Sequence, residues 1–216
     1  GDSAERQVSV MSGTNVWLKL KRSERYDPRP FLLDTSQGVW ELPYCLALYH
    51  TVEEISELCA STAARELRVA PLRAEVVRAL SIPPELISEA VFTPRRLSLE
   101  EFIKESPRIF IAVHGSIGEN GVLQGLLDKA GVPYTGSGAA ASELCMDKYR
   151  TGRALESLTH EGIYSAQKVC KSPRELNNTP KETFSQIAET LGTSTLIIKP
   201  VGDGCSAGVA KLCAPD

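Results

Sequence analysis

The chain has few of the features that would tie it to a membrane, a metal or a nucleic acid. No apolar run approaches the roughly 20 residues that a membrane-spanning helix needs; the best are "IFIAV" and "LII". Basic residues give no excess, since 24 Lys and Arg stand against 27 Asp and Glu for a net charge of −3, and the pI is near 5.8. That balance leaves no footprint for nucleic acid. The three histidines, His50, His114 and His160, are too scattered in sequence to read as a metal site. Six cysteines (Cys45, Cys59, Cys145, Cys170, Cys205, Cys213) show neither C-x-x-C nor zinc-type spacing. Reduced thiols in a reducing compartment are therefore expected, and no metal ligand is assigned. There is no internal repeat, low-complexity tract or long charge block, and "GDSAERQVS" opens as a loop and helix start rather than a signal peptide.

What remains is the composition of an ordinary soluble globular protein, 42% hydrophobic and 24% charged. Its 216 residues make one large domain or two small ones. "QVSVMSGTNVWLKL" has apolar residues at helical spacing and predicts a helix over 7–20, with Ser3 or Glu5 near its start. "VWELPYCLALYH" holds a strand, "VEEISELCASTAARELR" a helix and "SLEEFIKE" a short capped helix. "RIFIAVHG" reads as a buried strand from its length and β-branched content. A helix "VLQGLLDKAG", a short strand "VPYT", a long helix over 141–158, a strand "SAQKV", a helix "KETFSQIAETLG" and strands "TLIIK" and "GVAKLC" follow. Alternating strands and helices imply α/β layers, with a domain boundary near Gly136–Gly138.

Three glycine-rich stretches carry the chemistry. "KPVGDGCSAGVAK" places Lys199 beside a loop whose glycines let backbone approach a ligand, and a lysine supplies a point charge for phosphate. The same stretch also reads as an ordinary turn between two strands. "HGSIGENG" puts Gly115, Gly118 and Gly121 ahead of a helix N-terminus, a setting that suits an anion. Ile117 fills the second glycine position of the dinucleotide fingerprint there, while "GSGAAA" meets only its looser form. His114 stands at a strand's C-terminal end, the usual ligand edge of open α/β sheets, or is a surface loop histidine. Read alone, Glu5 is a helix-start carboxylate, Glu119 a carboxylate that favours the dipole of the following helix, and Lys148 a solvated helix lysine.

Taken in order, four blocks resemble the D-alanine–D-alanine ligases of the ATP-grasp superfamily: "SAERQVS" (3–9), "HGSIGENGVLQGLL" (114–127), "GVPYTGSGAAASELCMDK" (131–148) and "IIKPVGDGCSAGVAK" (197–211). "IAVHG" and "DGCSAGVAKLC" look most like the plant, chloroplast type, in which two ligase modules stand in tandem. The resemblance implies a Rossmann-like pre-ATP-grasp domain over 1–136, decorated by an insertion at about 22–105, and an incomplete ATP-grasp subdomain over 137–216. It implies ATP-dependent joining of two D-alanines through an acyl phosphate, in the synthesis of peptidoglycan precursors. Matched position by position, Glu5 holds the ammonium of the first D-alanine and His114 stands near that substrate's carboxylate. Lys148 and Lys199 reach ATP. Gly204 and Ser206 lie in the loop that closes over the γ-phosphate, and Ser206 joins Glu5 and His114 as a catalytic residue.

Asn120 stands where the family usually has aspartate, and Cys205, beside the substrate network of Glu5, where it usually has serine. The family's Mg²⁺-binding carboxylates, its catalytic arginine and a first strand find no counterpart, so the chain is expected to be an inactive piece of a larger protein. ATP and Mg²⁺ are the implied cofactors, with chloroplast, otherwise cytoplasm, as the implied location. Small molecules, and a homodimer or tandem ligase module, are the implied partners, with no nucleic acid and no membrane. A D-lactate or D-serine ligase, and a non-catalytic nucleotide-binding module supporting a sister ligase, remain open.

Overall fold

The computed structural model describes residues 3–36, 38–48, 51–83, 93–204 and 206–213, with Asn178 as backbone only. The chain divides into two compact units, Gly1–Gly118 with Gly125–Gly136, and Glu119–Gln124 with Ser137–Asp216. The fold class is α/β, as the alternating pattern implies, with helices predominating.

In the first unit, helix α1 (Arg6–Leu20) begins after Glu5 and carries Lys19 in its last turn, where a cation suits the helix dipole. Its buried residue, Trp17, packs against Tyr44 with ring centroids 5.3 Å apart, and its indole N–H donates to the Pro28 carbonyl. Strands β1 (Phe31–Leu33), β2 (Val39–Glu41) and β3 (Arg95–Leu97) form an antiparallel sheet in that order. The β1–β2 turn is held by the Asp34 carboxylate, which accepts from the Ser36 and Gly38 amides. Burial pushes that carboxyl up, but hydrogen bonds from Ser36, Gly38 and Trp40 outweigh it and hold Asp34 below its usual range.

Helices α2 (Tyr44–Ala47), α3 (Val52–Ala60) and α4 (Thr62–Leu80) follow. Thr51 and Glu54 form a reciprocal capping box at the start of α3, satisfying amides that the first turn leaves without partners. Ile55 and Cys59 of α3 meet Trp17, Leu32, Leu46 and Val52 in the core. Burial pushes the Cys59 thiol up to about 11, so this cysteine behaves as an apolar packing group. The single helix expected from "VEEISELCASTAARELR" is two, meeting at Ser61. Helix α5 (Leu99–Glu105) is capped by Ser98 and Glu101, as its sequence implied.

"RIFIAVHG" differs from expectation. Among the described residues it runs without a strand ladder, joined to the segment after the 122–130 helix by one parallel bridge, Ile109 to Tyr134. Pairing stops there because the Ile111 amide donates to the Thr135 side chain, and both backbone groups of His114 are taken by serine hydroxyls of the N-terminal segment and α1.

Helix α6 (Val122–Ala130) starts where Asn120 accepts from the Val122 amide, and buries Leu123 and Leu127. The expected long helix over 141–158 is two helices in the second unit, α7 (Ala139–Met146) and α8 (Lys148–Leu155). They part at Asp147, whose extended backbone lets its carboxylate accept from the Arg150 amide as an N-cap. "SAQKV" forms no ladder among the described residues; Lys168 instead donates to the Ser165 hydroxyl and the Ala166 carbonyl. Helices α9 (Pro173–Asn178) and α10 (Pro180–Leu191) lead to strands β4 (Thr195–Ile198) and β5 (Ala210–Cys213), an antiparallel pair with Ile198 opposite Ala210.

Candidate functional site

Glu5 and His114, 109 positions apart, are tied together by two serines. The Glu5 amide donates to the Ser3 hydroxyl (3.2 Å), which donates to the His114 carbonyl (2.9 Å). In the reverse sense, the His114 amide donates to the Ser9 hydroxyl (2.8 Å), which donates to the Glu5 carbonyl (3.2 Å). Each hydroxyl thus spends one donor and one acceptor capacity on the same pair of residues. A third serine, Ser12, lies one turn beyond Ser9 on the same face of α1, and its hydroxyl is 3.0 Å from His114 Nε2.

The glycine after His114 completes this corner. Gly115 has φ +69°, and a Cβ there would stand 2.7 Å from Glu5 Oε2 and 2.8 Å from Ser3 Oγ. Only glycine leaves room for the carboxylate to lie against the backbone at this turn. The backbones that carry a carboxylate and an imidazole are therefore tied together at one corner, a pairing suited to a zwitterion. The carboxylate attracts an ammonium, and the imidazole can donate to an anionic oxygen.

The second unit assembles the loop that opens after β4. Lys148, the first residue of α8, donates through its amide to the Val201 carbonyl at 3.0 Å, and its ammonium donates to the carbonyls of Val201 and Asp203. Lys199 directly follows β4 and is exposed, and no hydrogen bond or ion pair of its side chain is found among the described residues. Ser206 takes φ +58°, with its carbonyl accepting from the Val209 amide, while the Gly204 carbonyl accepts from the Ala207 amide. Two ammonium groups beside a glycine-bearing loop suit a polyphosphate. Cys205, expected beside Glu5, lies outside the described residues, as does His50.

Among the described residues, no group of three or more His, Cys, Asp or Glu could hold a metal ion, so the implied magnesium finds no ligand set there. No described helix is long and apolar enough to cross a membrane. Sequence reading named Glu5, His114, Lys148 and Lys199 but missed Ser9 and Ser12. Their S-x-x-S spacing on a helix that starts at a carboxylate was the available signal.

One unit thus carries the Glu5–His114 corner and the other a lysine-bearing glycine loop, within an α/β class of fold. The family model described as D-ala D-ala ligase N-terminus matches residues 1–137, and the chain belongs to that family, as the four sequence blocks implied. It is 30% identical over 212 residues to a D-alanine–D-alanine ligase of Chlorobaculum tepidum, covering 98% of this chain and 52% of the relative. A D-alanine–D-alanine ligase of Cupriavidus taiwanensis is 43% identical over 109 residues, 50% of this chain and 30% of its own length. Among solved structures, the D-alanine–D-alanine ligase from Coxiella burnetii superposes with a TM-score of 0.63 at 22% identity, covering 99% of this chain and 54% of that one. The corresponding enzyme from Helicobacter pylori gives 0.62 at 20%, covering 99% and 56%. These two likenesses show the fold. The chain spans about half the length of the relatives that it matches along its whole length.

Proposed function

We propose that this chain is the substrate- and nucleotide-binding part of an ATP-dependent ligase that joins two D-alanines. The observation that carries this reading is the doubly bridged Glu5–His114 corner, which offers opposite polarities to the two ends of one amino acid. Glu5 holds the ammonium of the first D-alanine, and His114 faces its carboxylate. That orientation leaves a carboxylate oxygen to attack the γ-phosphate of ATP, forming an acyl phosphate and ADP. The amine of the second D-alanine then attacks the acyl carbon, and inorganic phosphate leaves. Lys148 and Lys199 neutralise phosphate oxygens, and Gly204 and Ser206 belong to the loop that covers them. Cys205 is placed at the edge of the Glu5 network by the sequence resemblance alone.

In this reading residues 1–136 are the pre-ATP-grasp domain and 137–216 the opening of the ATP-grasp domain. ATP and Mg²⁺ are its cofactors, with the metal's carboxylates supplied from outside the described residues, and the product feeds peptidoglycan synthesis in the cell wall. The relatives named above are bacterial, so a chloroplast location and a tandem or dimeric arrangement rest on the plant-type blocks alone. The test is D-alanine-dependent ADP release by the intact protein, with the dipeptide identified by mass spectrometry and D-serine and D-lactate offered as second substrates. The 216 residues by themselves are expected to release no ADP. Intact protein that binds ATP yet makes no dipeptide with any of these acceptors would replace the ligase reading with a supporting nucleotide-binding module.

A further inference from the structure

We propose that Ser12 is a positioning residue for His114, fixing the orientation of the imidazole that meets the first substrate's carboxylate. The proposal rests on the ligase reading for what the ring meets, and on geometry for how the ring is held. Ser3 and Ser9 already satisfy the carbonyl and the amide of His114. The Ser12 contact therefore adds nothing to the backbone and acts on the ring, at Nε2, 3.0 Å away.

A ring hold is needed because the outer torsion of histidine is broad and roughly two-fold. A half-turn exchanges nitrogen for carbon at each edge, so an unsecured imidazole offers a polar atom to its ligand only part of the time. A hydroxyl removes that ambiguity, since carbon at the Nε2 position would leave it without a partner. Serine also suits either form of the ring, donating to a bare Nε2 or accepting from Nε2–H. The orientation then survives a change of tautomer or charge.

The helix makes the hold rigid. Ser12 sits inside α1, on the face that Ser9 shares, and is half-buried. Beside it, a Cβ on Gly13 would come within 3.6 Å of the Ala112 Cβ. Helix α1 therefore lies within van der Waals reach of the 109–114 segment, close enough for a side chain as short as serine to reach the ring. A longer side chain would reach without this precision of placement.

The experiment compares Ser12→Ala, Ser12→Thr and His114→Ala in the intact protein. Ring ¹⁵N shifts of His114 are read by NMR after histidine labelling, with His114→Ala identifying its signals. The KM for the D-alanine that is phosphorylated is measured in parallel, and thermal melts confirm folding. Ser12→Ala is expected to move the His114 ring shifts and to raise that KM about fivefold, the scale of one neutral hydrogen bond. Its kcat and ATP affinity stay near those of the parent, and Ser12→Thr, which keeps the hydroxyl, restores both shifts and KM. Parent-like ring shifts or a parent-like KM in folded Ser12→Ala would overturn the positioning role. Unaltered D-alanine kinetics in His114→Ala would remove the ring from the substrate's carboxylate, whereas a parent protein that releases no ADP in response to D-alanine would overturn the ligase reading beneath it, whatever the ring shifts show.

Discussion

At the scale of single residues, the corner between Glu5 and His114 is built from groups too small to attract notice in a sequence. Gly115 holds φ +69° with the Glu5 carboxylate against it. Gly115→Ala meets two costs at once: about 1–2 kcal/mol for a left-handed conformation with a Cβ, and displacement of Glu5 Oε2. We expect a lower urea midpoint and, in the intact protein, weaker use of D-alanine with ATP affinity unchanged. A variant as stable and as active as the parent would show that the carboxylate has no fixed place. Glu5 and His114 were legible through the family resemblance of the blocks that hold them, for alone the one reads as a helix-start carboxylate and the other equally as a loop histidine. Ser9 and Ser12 were not, since a helical serine ordinarily bonds back to the carbonyl four residues earlier. Ser9 does bond back in that way, to Glu5, and only the fold reveals that it also accepts from His114.

Elements differ in how much of their structure is local. The capping boxes of α3 and α5 lie within four consecutive residues, so both helix starts were readable. Asp147 interrupts an apolar pattern without announcing itself, because an aspartate looks the same at a helix N-cap as on a helix surface; the α7–α8 break was missed for that reason. "RIFIAVHG" has strand composition, but a ladder needs neighbours, and one parallel bridge is what the described residues provide.

The three-stranded sheet shows a contribution that composition hides. Glu41, at the end of β2, accepts two hydrogen bonds from Arg29 and one from Arg95, its partner across β3, and Arg95 in turn forks onto Glu105. The hydrogen bond from Arg29, followed by that from Arg95, holds the Glu41 carboxyl below its ordinary range against the opposing effect of burial. Between the depressed folded value and the ordinary one, the unfolded chain binds more protons. The stabilisation is therefore complete above the ordinary glutamate range, near ~4.3, and is lost as pH falls through the folded value. Glu41→Gln should cost on the order of 1 kcal/mol at pH 7, with the gap to the parent closing in acid. Urea melts at pH 7 and at pH 3 test this, and an equal gap at both would sink it.

At the scale of the whole molecule, the proposed function gives the two units different chemistry, a zwitterion corner in one and a phosphate loop in the other. Their variants should accordingly separate two dependences of one reaction. Glu5→Gln removes the charge opposite an ammonium, so it should raise the KM for D-alanine and leave ATP affinity alone. Lys199→Ala should do the reverse, since a charge-assisted hydrogen bond is worth about 1.5–3 kcal/mol. Lys148→Ala should weaken ATP binding by a similar amount and have a second effect, because its ammonium also ties down the carbonyls of Val201 and Asp203. Hydrogen exchange in the nucleotide-free protein should rise across 201–204 for Lys148→Ala but stay at the parent's level for Lys199→Ala. Lys171, which pairs on the surface with Glu175 at 3.2 Å, supplies the control, and Lys171→Ala should alter neither substrate's affinity. Calorimetry showing unchanged ATP affinity in both Lys148→Ala and Lys199→Ala would remove the nucleotide from this loop. A rise in the D-alanine KM in those two variants, with ATP unaffected, would assign the loop to the amino acid instead.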